Sequence, residues 1–141
     1  MTVRKPVVMA RLAHLGNVIR DLERLRALPS LARKTDSVAN LALERAMQVA
    51  AEAVFDIGHH VLAGRGLDVP ATYREVLPAL ARAGVIDAAL LGRLEGLAGL
   101  RNILVHDYLT VESSRLWQLL DERHEDLRAI HAAFSVIPEM Q

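Results

Sequence analysis

Residues 37 to 64 read SVANLALERAMQVAAEAVFDIGHHVLAG, and apolar side chains recur along them in alternating steps of four and three residues. Because an α-helix turns once every 3.6 residues, this spacing places the apolar side chains on one helix face. Thr35 to Ser37 supply oxygens that can cap the first turn, and Gly64 is a typical residue at a helix end. The stretch therefore predicts an amphipathic helix whose apolar face contains Leu43, Met47, Ala50, Val54, Ile57 and Val61.

Four further helices are predicted, one before this helix and three after it. In the short third helix, Thr72 and Glu75 form a capping-box pattern, and Pro78 is expected to kink or split the helix. The loops are short, which favours antiparallel neighbours. We therefore predict an all-α fold, an antiparallel up-and-down bundle of four main helices plus one short helix. The additional helices are predicted from Pro6 to Pro29, from Thr72 to near Gly84, from Asp87 to about His106 and from about Val111 to Phe134.

The composition excludes several classes of protein. The 141 residues fit one domain, 1–141, and 52% of them are hydrophobic, which is too many for a disordered chain. The 17 basic and 17 acidic side chains cancel, so a nucleic acid can be bound only through a local patch. The chain has no cysteine, which excludes disulfides, thiolate zinc sites and cysteine nucleophiles. No apolar run is long enough to span a membrane, and we expect a cytoplasmic protein.

Residues 99 to 108 carry the most informative polar side chains. If one helix continues from Asp87 to about His106, Arg101 lies in the middle of an apolar stripe that includes Leu94 and Tyr108. A buried guanidinium without a partner is costly. Arg101 is therefore expected to pair with a core carboxylate such as Glu44 or Glu52, to reach solvent, or to be retained for function.

Asn102 and His106 are four residues apart, so they project from the same side of that helix. Gly92, Gly96 and Gly99 lie on this side as well, which allows another backbone to approach closely. Two interpretations remain open for the glycine face, tight packing within one chain and contact with a second chain.

Other polar groups give weaker signals. Asp56 and His60, with His59 adjacent, have a spacing that can hold a metal ion, but no second cluster completes the coordination, and we predict no metal site. His124 and His131 on the last helix receive the same interpretation. A ridge of polar residues on the second helix is expected to face solvent, with lining of a catalytic groove as the alternative. It comprises Glu44, Gln48, Glu52 and Asp56.

The sequence from Arg101 to Tyr108, RNILVHDY, resembles the motif of the HepT-like toxins in the HEPN superfamily of ribonucleases, in which Arg, four residues, His, one residue and Tyr follow one another. The similarity extends from about residue 36 to residue 130. It includes the segments from Glu44 to Gln48, from Tyr73 to Glu75 and from Val111 to Leu120.

This resemblance implies a metal-independent endoribonuclease toxin that acts on RNA as a homodimer, without a cofactor. Arg101 and His106 of two facing motifs would be catalytic, and Asn102 would support them. The resemblance also implies that an MntA-type minimal nucleotidyltransferase antitoxin silences the toxin by nucleotidylating Tyr108. The alternatives are a non-catalytic helical module that binds a nucleotidyltransferase or a nucleotide, and a helical bundle that serves only as an interaction protein.

Overall fold

The computed structural model describes residues 5–97 and 112–141, and every regular element in these ranges is helical. The predicted all-α class is confirmed. None of the helices in the described ranges combines the length and apolar character that a membrane crossing requires. The elements are α1 (Lys5–Arg26), α2 (Ser30–Thr35), α3 (Ser37–Gly64), α4 (Tyr73–Arg82), α5 (Ala88–Leu94), α6 (Ser113–Ser135) and a 3₁₀ turn (Pro138–Met140).

The long helix α3 lies at the centre of the core and is covered by α1, α4 and α6. Every apolar residue that the spacing assigned to its inner face is buried, and Val54 and Phe55 have no exposed surface. Gly58 is the point of closest approach to α4, because a Cβ there would lie 2.8 Å from Val76 Cγ1 and 3.1 Å from Leu80 Cδ1. The absence of a side chain at Gly58 therefore lets α4 pack directly on α3.

Polar contacts at the helix ends define the helix directions. Arg11 of α1 forms a 2.5 Å ion pair with Asp56, which is near the end of α3. Lys5, at the start of α1, donates to the carbonyl oxygen of Gln141 at 2.8 Å. These contacts join early residues of α1 to late residues of α3 and to the segment after α6. Helix α1 is therefore antiparallel to both α3 and α6, as expected for an up-and-down bundle.

Two aspartates cap helices at positions where the sequence predicted helix starts. Asp36 accepts hydrogen bonds from the first amides of α3, and Asp87 accepts one from Leu90 at 2.7 Å at the start of α5. The capping box predicted at Thr72 is wrong, because the Thr72 side chain makes no capping hydrogen bond. The predicted start of the helix is correct, since α4 begins at the next residue. Pro78 does not split α4 either. Its ring nitrogen has no hydrogen to donate to the carbonyl group of Arg74, which is an exposed residue.

The prediction of one helix from Asp87 to about His106 is wrong. Helix α5 ends at Leu94, where Glu95 adopts an extended ψ of 138° and Gly96 a φ of +89°. These values fit the two central residues of a type II turn, whose second position favours glycine. Gly96 is therefore a turn residue rather than part of a glycine face with Gly92, and a helical count cannot be carried across it from Leu94 to Arg101.

Helix α2 was not predicted, and it changes the count of main and short helices. In the described ranges three helices are long, α1, α3 and α6, whereas α2, α4 and α5 have six to ten residues. Tertiary contacts hold α2 in place, because Arg33 donates to both oxygens of Asp121 at 2.7 and 3.1 Å. The Arg33 guanidinium also lies 4.7 Å from the ring centre of Trp117.

A Gly58→Ala substitution should destabilise the fold, because the new methyl group would collide with Val76 and Leu80 of α4. Overpacking of this kind costs about 1–3 kcal/mol, to be measured as the change in the free energy of unfolding by urea. Gly92→Ala is the matched control, since no atom lies within 4 Å of a Cβ there and alanine favours helix. A loss of stability that is equal in both variants would contradict this account of Gly58.

Candidate functional site

The residues predicted to form the site, Arg101, Asn102, His106 and Tyr108, all lie outside the described residues, as does Gly99. Their predicted roles therefore stay predictions. The structure describes the helices before and after this segment and the polar side chains that α3 presents.

The two helices that flank the segment are tied together by a buried carboxylate. Asp126 of α6 is only 7% exposed, and its Oδ1 accepts a hydrogen bond of 2.9 Å from Nε of Arg93 in α5. A second guanidinium, that of Arg123, lies 3.6 Å from the other oxygen. Leu90 and Leu94 bury the apolar side of α5. The cluster therefore joins α5, which precedes residues 98–111, to α6, which follows them.

The polar ridge of α3 is not the solvent-facing surface that was expected. All four of its residues are half-buried. Gln48 donates to Oε1 of Glu52 at 3.2 Å, and Asp56 forms the ion pair with Arg11. The ridge therefore consists of hydrogen-bonding groups held at the edge of the core. Its alternative role beside Arg101 stays a prediction.

The histidines of α3 are arranged for packing and ion pairing. His60 Nε2 lies 3.7 Å from Asp56, whose carboxylate is held by Arg11. His59 stacks on Tyr73 with ring centres 5.9 Å apart, and its buried Nε2 has no hydrogen-bond partner among the residues that the structure describes. In residues 5–97 and 112–141, no group of three or more His, Asp or Glu side chains comes close enough to hold a metal ion.

The histidines of α6 both face α1. His124 Nδ1 lies 2.9 Å from Oε1 of Glu23. Burial raises the pKa of Glu23, but the hydrogen bond and charge of His124 together with Arg128 outweigh this effect and lower that pKa below its ordinary value. His131 packs against Gly16, where a Cβ would lie 3.1 Å from its Nε2. These two histidines therefore join helices and do not form a shared cluster.

A groove of about 700 Å³ between α1 and α3 was not predicted from the sequence. A second row of residues on α1 could have indicated the groove. It lies beside the row of buried apolar side chains and repeats with the same steps of four and three residues. Residues from α1, α3 and the turn after α1 line the groove. They are His14, Val18, Asp21, Arg24, Leu25, Leu28, Ala42, Arg45, Ala46 and Val49.

Comparison with known sequences identifies one family. The family described as Ribonuclease HepT-like matches residues 15–133. The mRNA nuclease HepT of Shewanella oneidensis is 31% identical to this chain over 80 residues. These residues are 57% of this chain and 60% of that relative, so the match spans about three fifths of the curated protein.

Solved structures share the fold over nearly the whole chain. A cytosolic protein of unknown function, YutE from Bacillus subtilis, has a TM-score of 0.83 at 19% identity and covers 95% of this chain and 90% of its own. The tri-AMPylated Shewanella oneidensis HEPN toxin, in complex with an MNT antitoxin, has a TM-score of 0.82 at 23% identity and covers 93% and 98%. The predicted HEPN-like fold is therefore confirmed.

Substitution of Arg93 by Ala should loosen α5, because Asp126 would keep only the more distant Arg123 as a partner in its buried position. We expect a loss of about 1–2 kcal/mol in the free energy of unfolding, since half of the Arg93 side chain is exposed. Faster hydrogen exchange should appear in the amides of α5. The control is Arg82→Ala, a change on the exposed side of α4. Unchanged exchange in α5 would show that the cluster does not hold this helix.

Proposed function

We propose that this chain, which belongs to the Ribonuclease HepT-like family, is a metal-independent endoribonuclease toxin that works in the cytoplasm as a homodimer. The observation that carries the proposal is that the family match spans residues 15–133 and so includes the complete motif from Arg101 to Tyr108. The similarity to the mRNA nuclease HepT of Shewanella oneidensis supports RNA as the substrate.

The chemistry requires a general base, a general acid and a positive charge at the phosphate. The base takes the proton of an RNA 2′-hydroxyl, and the 2′-oxygen then bonds to phosphorus while the bond to the 5′-oxygen breaks. The acid protonates the departing 5′-oxygen, which leaves a cyclic phosphate and a free 5′-hydroxyl. His106 of each chain supplies one of the two proton-transfer groups, because imidazole titrates near about 6.5. Arg101 of each chain stabilises the charge on the phosphorane.

The described residues support this assignment through position and charge. The cluster of Asp126, Arg93 and Arg123 fixes the helices on both sides of the motif, and preorganised groups are what acid–base catalysis requires. Asn102 is assigned to orient the imidazole or to donate to the phosphate. The net charge of the chain is zero, so RNA binding must come from the local charge of the motifs.

His106→Ala and Arg101→Ala should each reduce RNA cleavage by at least about a hundredfold, because they remove a proton-transfer group or the charge at the phosphate. Cleavage by the wild-type protein should persist in EDTA, since no step uses a metal ion. Cleavage of a labelled RNA by purified protein measures both effects. His60→Ala and Arg74→Ala are the matched controls on α3 and α4.

Retained cleavage by His106→Ala, or a strict need for a divalent cation, would contradict the catalytic assignment. Such a result would favour the alternative of a non-catalytic helical module that binds a nucleotidyltransferase or a nucleotide.

Tyr108 is assigned as the site at which an MntA-type minimal nucleotidyltransferase antitoxin silences the enzyme. The Shewanella oneidensis HEPN toxin of the same fold is AMPylated and in complex with an MNT antitoxin, which supports this partner and this chemistry. The phenol oxygen attacks the α-phosphate of ATP, AMP is transferred and pyrophosphate leaves. The attached phosphate is then both an obstruction and a competitor with RNA for Arg101.

Tyr108→Phe should resist silencing by the antitoxin while retaining ribonuclease activity, because the phenol takes no part in the acid–base steps. Intact-mass and peptide mass spectrometry after co-expression with the antitoxin should find AMP on Tyr108 of the wild-type chain. Tyr73→Phe is the control tyrosine. Neutralised toxicity with an unmodified Tyr108 would mean that the antitoxin acts by steric capture instead.

A further inference from the structure

Helix α2 is held in place by polar contacts rather than by buried apolar side chains. None of its six residues is buried, and Leu31, its one large apolar residue, is 71% exposed. The side chain of Arg33, by contrast, is only 18% exposed. Both of its terminal nitrogens donate to Asp121 of α6, and Nη2 also donates to the carbonyl oxygen of Arg26 at 2.8 Å. The guanidinium of Arg33 therefore links α2 to both α1 and α6.

Trp117 joins this contact to the central helix. Trp117 is 4% exposed, and the Arg33 guanidinium lies 4.7 Å from the centre of its ring. Nε1 of Trp117 donates to Oδ1 of Asn40 in α3 at 2.9 Å, and Nδ2 of Asn40 donates to the carbonyl oxygen of Arg33 at 3.0 Å. These residues and Asp121, together called the Arg33 cluster, therefore connect α2, α3 and α6.

The Arg33 cluster constrains α6 in a way that apolar burial alone does not. Leu116 and Leu120 bury the same turns of α6, but the hydrophobic effect is non-directional and by itself specifies the rotation of a helix poorly. A guanidinium that donates twice to one carboxylate has a fixed plane, and the indole N–H adds a further direction. These contacts therefore set the height and rotation of residues 113–121 against α2 and α3.

The turns that the cluster holds are the first turns of α6 after the motif. Helix α6 begins at Ser113, five residues after Tyr108, and Trp117 and Asp121 lie in its second and third turns. Only a short length of chain therefore separates these turns from the residues proposed for catalysis. Misplacement of reacting groups by about 1 Å can cost about a hundredfold in rate.

We propose that Arg33 is a positioning residue for the ribonuclease reaction, because it sets the place of the start of α6 through Trp117 and Asp121. The inference rests on the proposed function, since it concerns the rate of that reaction. Arg33 acts on the geometry of the catalytic groups and not on the attraction of RNA. Its loss should therefore lower kcat and leave KM nearly unchanged.

The test compares variants of the cluster in cleavage of a labelled RNA. Arg33→Ala should lower kcat about tenfold and leave KM within about twofold of wild type. Arg33→Lys should have a kcat within about threefold of that of Arg33→Ala, since an ammonium group keeps the charge but not the paired donors. Asp121→Asn should also lower kcat, and its combination with Arg33→Ala should be no slower than the slower single variant.

Attraction of RNA by the charge of Arg33 predicts the opposite pattern. Arg33→Lys would then keep the wild-type activity. Asp121→Asn would lower KM, because it removes a negative charge that repels RNA. Either result would overturn the proposal.

Arg65→Ala is the matched control. Nε and Nη2 of Arg65 donate to the carboxylate of Glu139 at 2.5 and 3.0 Å, but this contact lies beyond the other end of α6. The Arg65 side chain is 26% exposed, so its removal should cost a similar amount of stability. Its kcat should stay within about twofold of wild type, because distant sites act independently. An equal loss of kcat in Arg65→Ala and Arg33→Ala would mean that Arg33 contributes only to stability.

Two further measurements do not depend on RNA cleavage. Trp117 is the one tryptophan of the chain, so its fluorescence reports on the cluster. In Arg33→Ala, quenching of Trp117 by acrylamide should increase about twofold, and amides of residues 113–121 should exchange faster while those of residues 126–134 are unchanged. Unchanged quenching and exchange would overturn the proposal. If these changes occur but the wild-type protein cleaves no RNA, the proposed function is wrong and Arg33 only anchors α6.

Discussion

The burial of α3 is the constraint on which the rest of the structure depends. Its apolar face packs against α1 and α6, and Gly58 admits α4, so three neighbours are positioned by one helix. Burial of apolar area is the largest favourable contribution to folding. The sides of α3 that do not pack in the core carry other features. One side carries the half-buried polar ridge that includes Gln48 and Glu52, and another carries the groove with α1.

Local signals in the sequence were sufficient for the parts of the fold that depend on local rules. The apolar spacing located the buried face of α3, and Asp36 and Asp87 cap helices at positions that the sequence predicted. Helix α2 could not be predicted in this way, because it has no apolar stripe and depends on the contact of Arg33 with the distant Asp121. The turn at Gly96 was missed because a glycine in a helical pattern fits either a close contact or a positive φ.

The same distinction between local signals and tertiary contacts applies to the candidate site. The residues of the motif could be selected from the sequence because their types and spacing match a chemistry. The surroundings could not, because they depend on which helices meet. Asp126 is a charged residue that local rules do not place in a core, yet it is buried against Arg93 of α5.

We propose that one chain holds half of a catalytic site and that a second chain completes it. The most direct test is the rate of RNA cleavage per chain as the protein is diluted through the dissociation constant of the dimer, with the mass followed in parallel. The rate per chain should fall in proportion to the remaining fraction of dimer. A rate per chain that stays constant at concentrations where only single chains are present would contradict it.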